Sequence, residues 1–443
     1  MIFEDFIRGY INKLNDNAIG YSLLRNYEKL PKENIGNDID FLILSGDVGK
    51  VIKLLMEMEG VKITGYVERP YVVSIFVTGV IVSKDIRAIQ LDFFTSLSWK
   101  GLAYLPADVV INSSRIFTNN GLDICIPQAY HEAVNTFFGS YLIGGWIKEK
   151  YQDKVIKEFV ENPNAVKLSV VELLGEKLSD LFILSIQNND REKIMDILPK
   201  IKKKIIVNEL YKSPINFFLS VSEYFYNEVK IRYFPFYIDS ICFMGTDGAG
   251  KSTVIEGLMK QLYGSTKSIA YQHLKPNFRH KADKEVTAVA DPQSGVPRGA
   301  LLSSLKMLAW VCLYWVDRFF HGYQNLTLKI WDRYYYDVLV DPLRYRYGAP
   351  LWVANVLGYL VPKPGLILIV DAPTEIVQAR KKEVSFEETC RQRKAYLEFS
   401  KHQKNCIVID TSKNISASLD TARSAVIDYL EARQLKRLTR RIK

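Results

Sequence analysis

Phe243–Thr253 reads FMGTDGAGKST, and whether this stretch is an ordinary turn or a phosphate loop decides the fold of the C-terminal half. The apolar run SICFM (Ser240–Met244) leads into it, and STVIEGLMKQL (Ser252–Leu262) leaves it with apolar residues at helical spacing. Gly245, Thr246, Asp247, Gly248, Ala249, Gly250, Lys251 and Ser252 fit G-x-x-x-x-G-K-[ST] at every position. Glycines let successive backbone N–H groups turn inward around a triphosphate with no Cβ in the way. The helix that follows adds positive charge at its N-terminus. Lys251 is placed to reach the β and γ phosphates, and the Ser252 hydroxyl, with Thr253 beside it, to ligate Mg²⁺. A turn holding no nucleotide would need both the pattern and its strand–loop–helix setting to arise by chance. Asp247 adds a constraint: a carboxylate against a triphosphate is costly unless it positions a metal-bound water or the acceptor.

Outward from the loop, strand-like and helical runs alternate: LTLKIWD, GLILIVD, EIVQARKK, NCIVIDTS, DTARSAVIDYLEARQ. That alternation predicts an α/β domain with a doubly wound parallel sheet over residues 236–443. RYFPFYIDS (Arg232–Ser240) is the expected junction, with Pro235 interrupting the pattern. Charged amphipathic helices fill 116–235, and DIDFLIL, YVVSIFVTGVIVS and AIQLDFF mark strands of an α+β domain over 1–115. A chain of 443 residues suits two or three domains, and its 48% hydrophobic and 24% charged residues are those of a globular protein.

The five cysteines lack CxxC or His spacing, which argues against a zinc site and fits a reduced, cytoplasmic protein. No Gly-x-Ser-x-Gly elbow suggests acyl transfer. MIFEDFIRGYINKL carries acids where a signal peptide is basic and reads as an amphipathic helix. The apolar run Leu301–Val316 is shorter than the roughly 20 residues a spanning helix needs, so no transmembrane segment is expected and a buried helix is. The net charge of +10 fits anionic partners. Nucleotides and an anionic small-molecule acceptor satisfy it, and nucleic acid is the less favoured partner. The basic end RQLKRLTRRIK is a solvated helix end or a peripheral contact with acidic lipid headgroups. A homodimer is left open.

The form GTDGAGKST resembles the loop of thymidylate kinases and related nucleoside monophosphate kinases, and the likeness extends from about Tyr237 to Leu430. LKIWDRYYYD (Leu328–Asp337) resembles their Asp-Arg-Tyr strand. The resemblance implies that Asp332 lies near the metal and that Arg333 holds the phosphates between donor and acceptor. PKPGLILIVDAPTEIVQARKKE resembles the strand and helix leading to the lid, with Arg380 and Lys381 as lid cations. Arg391 and Arg393 follow as further candidates. Where the family has Arg-Glu-Pro, this chain has YQHLKPNF (Tyr271–Phe278), which keeps only a cation before proline. The insert Arg279–Lys306 is enlarged. The phosphoryl-transfer half therefore matches while the acceptor half is rebuilt. In RYYYDVLVDPLRYRY (Arg333–Tyr347) five tyrosines interleave with three arginines. These form a base-stacking strip, an acceptor pocket lined by Arg344 and Arg346, or simply core.

In GNDIDFLIL (Gly36–Leu44), period-two alternation puts Asp38 and Asp40 on one strand face. Asp92 in IQLDFF offers a third acid for a cage holding two Mg²⁺ ions. This resembles the nucleotidyltransferase superfamily, except that SLLRNYE replaces its Gly-Ser turn. Arg25 would then have to clamp the triphosphate.

Together these readings predict a kinase using ATP and Mg²⁺, with Lys251, Asp247, Arg333 and Arg380 as its catalytic groups. Its acceptor is a nucleotide or a related sugar. The alternatives are nucleotidyl transfer at Asp38, Asp40 and Asp92, and a nucleotide-gated scaffold without catalysis.

Overall fold

The computed structural model describes residues 1–34, 38–82, 87–233, 239–276, 296–320 and 327–442. Gly36, the Pro235 junction, His280, His321 and the part of the insert before residue 296 lie outside the described residues. The chain forms two compact units, one of Met1–Lys84, Ala88–Val229 and Leu438–Lys443, the other of Asp85–Arg87 and Lys230–Arg437.

The first unit opens with the helix Phe3–Asp16 and contains strands β1 (Tyr21–Leu23), β2 (Asp38–Ile43), β3 (Lys62–Arg69), β4 (Val72–Thr78) and β5 (Ala88–Phe94). They form one mixed sheet in the order β1-β2-β5-β4-β3, with β2 and β5 parallel. Ile39, Phe41 and Ile43 of β2 and Ile89, Leu91 and Phe93 of β5 share one face. There they join a core with Phe6, Tyr10, Val51 and Leu55 from the helices Phe3–Asp16 and Val48–Met56. Each such side chain, fully buried, stabilises by about 1.5–3 kcal/mol. The alternate residues Asp38, Asp40 and Asp92 are thereby turned to the opposite face.

Two short hairpins follow, β6 (Leu97–Trp99) with β7 (Leu102–Leu105) and β8 (Arg115–Asn119) with β9 (Leu122–Ile126). Strand structure thus continues past residue 115, and the unbroken run of helices starts only at Ala129. The cause is Asn120-Gly121, whose φ of +48° and +72° suits a tight turn between strands. The helices from Ala129 to Tyr233 bury Phe137, Phe138, Phe159 and Phe182 in a second core.

The second unit is a five-stranded parallel sheet: β10 (Asp239–Met244), β11 (Ser268–His273), β12 (Thr327–Asp332), β13 (Leu366–Asp371) and β14 (Cys406–Asp410), in the order β11-β12-β10-β13-β14. Ile241 and Phe243 of β10 face one helical layer while Cys242 and Met244 face another. Burial on both faces is why the central strands are apolar without alternation. Strand order reverses at β10, so the loop after it lies at the switch point where α/β sheets bind ligands.

The apolar run near residue 301 departs from expectation. Its helix spans Ala300–Phe320, and the stretch Ala300–Phe319 is apolar and long enough to cross a membrane by length and composition, with only 33% of it buried. Met307, Trp310, Val311 and Tyr314 enter the core, while Leu301, Leu305, Leu308 and Phe319 are exposed. The sequence window stopped at Asp317, but that carboxylate is buried and paired with Lys329, so the helix continues through it. The basic end falls on the helix Ile415–Ile442.

Candidate phosphate site and acidic cluster

β10 delivers the glycine loop, and the helix Lys251–Gln261 carries it away. A Cβ on Gly245 would stand 2.3 Å from the Val370 carbonyl oxygen, and one on Gly248, at φ +85°, 2.8 Å from that of Val377. Only glycine lets the loop lie this close to β13 and its following helix. Lys251 is buried and donates to the carbonyls of Gly245 (2.9 Å) and Thr246 (2.8 Å). Burial, reinforced by the Arg333 charge, pushes its pKa down to about 8.

Asp247 is the hub. Its Oδ1 accepts from Arg333 and its Oδ2 from Arg344, with Lys251 at 3.7 Å. Burial opposes ionisation, but the three cations outweigh it and hold the carboxyl well below the usual range. Three cations converging on one carboxylate make a locus where a phosphate oxygen could stand in its place.

Arg333 is nearly as buried as the core around it, and its backbone is at φ +69°. A non-glycine residue there costs about 1–3 kcal/mol and persists only when its surroundings fix it. Here the Arg333 amide donates to Phe243 O (2.8 Å) and its guanidinium to Asp337 Oδ1 (3.2 Å). Asp337, fully buried, also accepts from the Tyr334 amide (2.8 Å) and the Tyr396 hydroxyl (2.6 Å). Asp337 was legible as a residue four beyond Arg333, but its role was not read; Tyr396 had no signal at all.

Asp332 closes β12 beside Phe243 of β10. Its Oδ2 accepts from Tyr271 (3.0 Å), while its Oδ1 is buried with no hydrogen-bond partner. An orphaned carboxylate oxygen at a strand's carboxyl end fits a divalent cation or its hydration shell. Ser252 and Thr253 are exposed at the start of their helix. Arg380 is also exposed, donates to Thr411 O (2.8 Å) and lies beside Gly250. Thr411 in turn donates to Ala249 O (2.6 Å), tying the loop to β14.

The other cations are occupied elsewhere. Lys381 pairs with Glu383 at 2.5 Å, Arg391 with Glu388 at 2.7 Å, and Arg393 is bidentate on Asp371 at 2.8 and 2.9 Å. The five tyrosines of Arg333–Tyr347 are all buried, so they are core and offer no stacking strip.

In the first unit, parallel pairing sets Asp40 opposite Asp92, and Asp38, Asp40 and Asp92 bring oxygens within 4.8 Å of one another. Asp40 Oδ2 accepts from Arg25, and its Oδ1 is buried and unpartnered. Burial pushes its pKa up to about 6; Arg25 pulls the other way, while Asp38 and Asp92 add to the rise. The donor set and the orphaned oxygen both fit a divalent cation. Beside the cluster is a cavity of about 410 Å³ lined by Arg25, Asp40, Tyr71, Tyr104, Trp146 and Tyr151, among others.

No family model and no curated protein matches this chain. Among solved structures, it is similar to a thymidylate kinase from Candida albicans. The likeness covers 44% of this chain and 94% of that one, at 17% identity and a TM-score of 0.32.

Proposed function

We propose that the second unit is an ATP-dependent phosphotransferase of the nucleotide-kinase type. One observation carries the reading: Lys251, Arg333 and Arg344 converge on Asp247 at the mouth of a glycine loop at a sheet's switch point. ATP would lie with its phosphates along Gly245–Ser252, and Lys251 would leave the loop carbonyls for the β and γ phosphates. Arg333, held by Asp337, would stay fixed while charge develops on the transferring group. The acceptor oxygen bonds to the γ-phosphorus as the bond to the β–γ bridging oxygen breaks and ADP leaves. A phosphate acceptor arrives deprotonated, so none of the chain's residues need remove a proton. Ser252 and Asp332 would hold Mg²⁺, which supplies charge neutralisation when bound. Asp247 would hold Arg344 towards the acceptor, and Arg380 would close over the donor.

Lys251→Ala should remove at least about three orders of magnitude of ATP turnover with an acceptor panel while leaving the circular dichroism spectrum unchanged. Undiminished turnover would sink the assignment.

A second reading rests on the acidic cluster with its orphaned Asp40 oxygen: nucleotidyl transfer in the first unit, with Asp38, Asp40 and Asp92 holding Mg²⁺. The double change Asp38→Ala/Asp40→Ala should stop incorporation of label from an α-labelled nucleotide and spare γ-phosphate transfer.

A further inference from the structure

Beyond the phosphate loop, a line of cations continues away from Asp247. Arg344 reaches Asp247 from the segment that also carries Tyr345 and Arg346. Lys306 Nζ donates to Tyr345 O (2.7 Å) and lies 5.2 Å from the centre of the Trp310 ring. Arg346 is held at φ +52° with its Nε on Val296 O (3.0 Å), and the Arg298 amide donates to Arg346 O (3.1 Å). Gly348 seals this arrangement, because a Cβ there would stand 2.1 Å from Arg298 O.

Two further features point to a ligand. Among the described residues, none of Lys275, Arg298, Lys306 and Arg346 has a carboxylate in ion-pair range, although Lys306 lies close enough to the other three to feel their charge. Lys306 is accordingly held below its usual pKa by burial and by Arg298, Lys275 and Arg346. The Tyr345 hydroxyl, set inward among the charges of Asp337, Arg333 and Arg344, is buried and has no hydrogen-bond partner. Cations gathered this closely repel one another, and an anion seated among them relieves that repulsion.

We propose that the phosphoryl acceptor carries two anionic groups: one reacts at Arg333 and Arg344, and a second, remote from it, docks on Lys306, Arg346 and Arg298. This rests on the phosphotransferase reading and narrows its acceptor class to bisphosphates and phosphorylated acid sugars. A plain nucleoside monophosphate leaves the outer cations unfilled.

The test uses matched probes on the full chain with Mg²⁺ and a non-hydrolysable ATP analogue: thymidine 5′-monophosphate against thymidine 3′,5′-bisphosphate, and glucose 6-phosphate against glucose 1,6-bisphosphate. At least one doubly anionic probe should bind about tenfold or more tighter than its partner, with a steeper loss on adding salt. Lys306→Gln/Arg346→Gln should erase that excess. Arg298→Gln, on an exposed side chain that a fold defect would not reach, should reduce it. Equal binding within both pairs, or an excess indifferent to all these changes, overturns the second anion site and leaves the kinase reading standing provided the analogue binds. Failure of the analogue itself to bind sinks the kinase reading and the acceptor class with it.

Discussion

Two aspartates, Asp247, half-buried, and Asp40, fully buried, each accept from arginine, yet burial and charge resolve in opposite directions. Asp247 faces three cations and is driven far into its ionised form. Asp40 faces one partly exposed arginine and two further carboxylates, and its pKa rises to about 6. An Asp–Arg contact therefore has no fixed electrostatic value. The count of charges around it sets the sign. It also separates two designs, an anion site filled by the chain's own carboxylate and a cation site left short of positive charge.

Removing Arg333 should give the largest effect. Arg333→Ala strands Asp337, which is fully buried, and deprives Asp247 of one partner. Breaking a buried pair in this way costs about 3–5 kcal/mol. Denaturant unfolding followed in the second unit should show that loss, and phosphoryl transfer should vanish with it. A variant within about 1 kcal/mol of the parent would contradict the anchoring role given to Asp337.

The acidic cluster should show its difference through pH. Because burial lifts Asp40 from its ordinary 3.8 to about 6 in the folded chain, the native state binds more protons than the unfolded one between those values. Stability from this group therefore falls as pH rises from about 4 to about 6, the reverse of a paired carboxylate. Asp247, with its pKa lowered, behaves as the paired kind: its contribution is present above the unfolded pKa and lost as pH falls. Asp40→Asn should flatten the downward slope and leave the protein about 1–3 kcal/mol more stable near pH 7. Mn²⁺ should bind the parent more tightly as pH passes about 6, because the ion displaces that proton. Flat Mn²⁺ affinity across that range would remove the metal reading.

Sequence made the second unit legible where physics is local. Burial on both faces leaves β10 and β13 as apolar runs, with Lys329 interrupting β12, and close approach to β13 leaves glycines in the loop. β11, an edge strand with half-exposed Ser268, Ala270 and Gln272, carried no such signature. The acidic cluster was readable because strand alternation and a parallel pairing put Asp38, Asp40 and Asp92 together. What stayed hidden depends on contacts between distant segments. Asp247 meets Arg344 across 97 positions, and Tyr396 meets Asp337 across 59. No periodicity records such a meeting. Lys306 likewise looks like a solvated helix residue until the Tyr345 carbonyl is brought to it.

Arg25→Ala should give the smallest effect, and it probes the comparison most directly. The Arg25 side chain is 43% exposed, so solvent screens its pair with Asp40 and the pair contributes about 1 kcal/mol or less. Its loss leaves Asp40 an escape that Asp337 lacks: with a pKa already near 6, the carboxyl can take up a proton instead of remaining charged. The variant should accordingly lose little stability near neutral pH and still less in mild acid. Because Arg25 occupies the second oxygen of Asp40, its removal should also let Mn²⁺ stabilise the variant more than the parent, read as a larger metal-induced rise in Tm. A destabilisation equal to that of Arg333→Ala, with no gain from Mn²⁺, would mean that Arg25 is a fixed structural partner, and the two aspartates would then be alike after all.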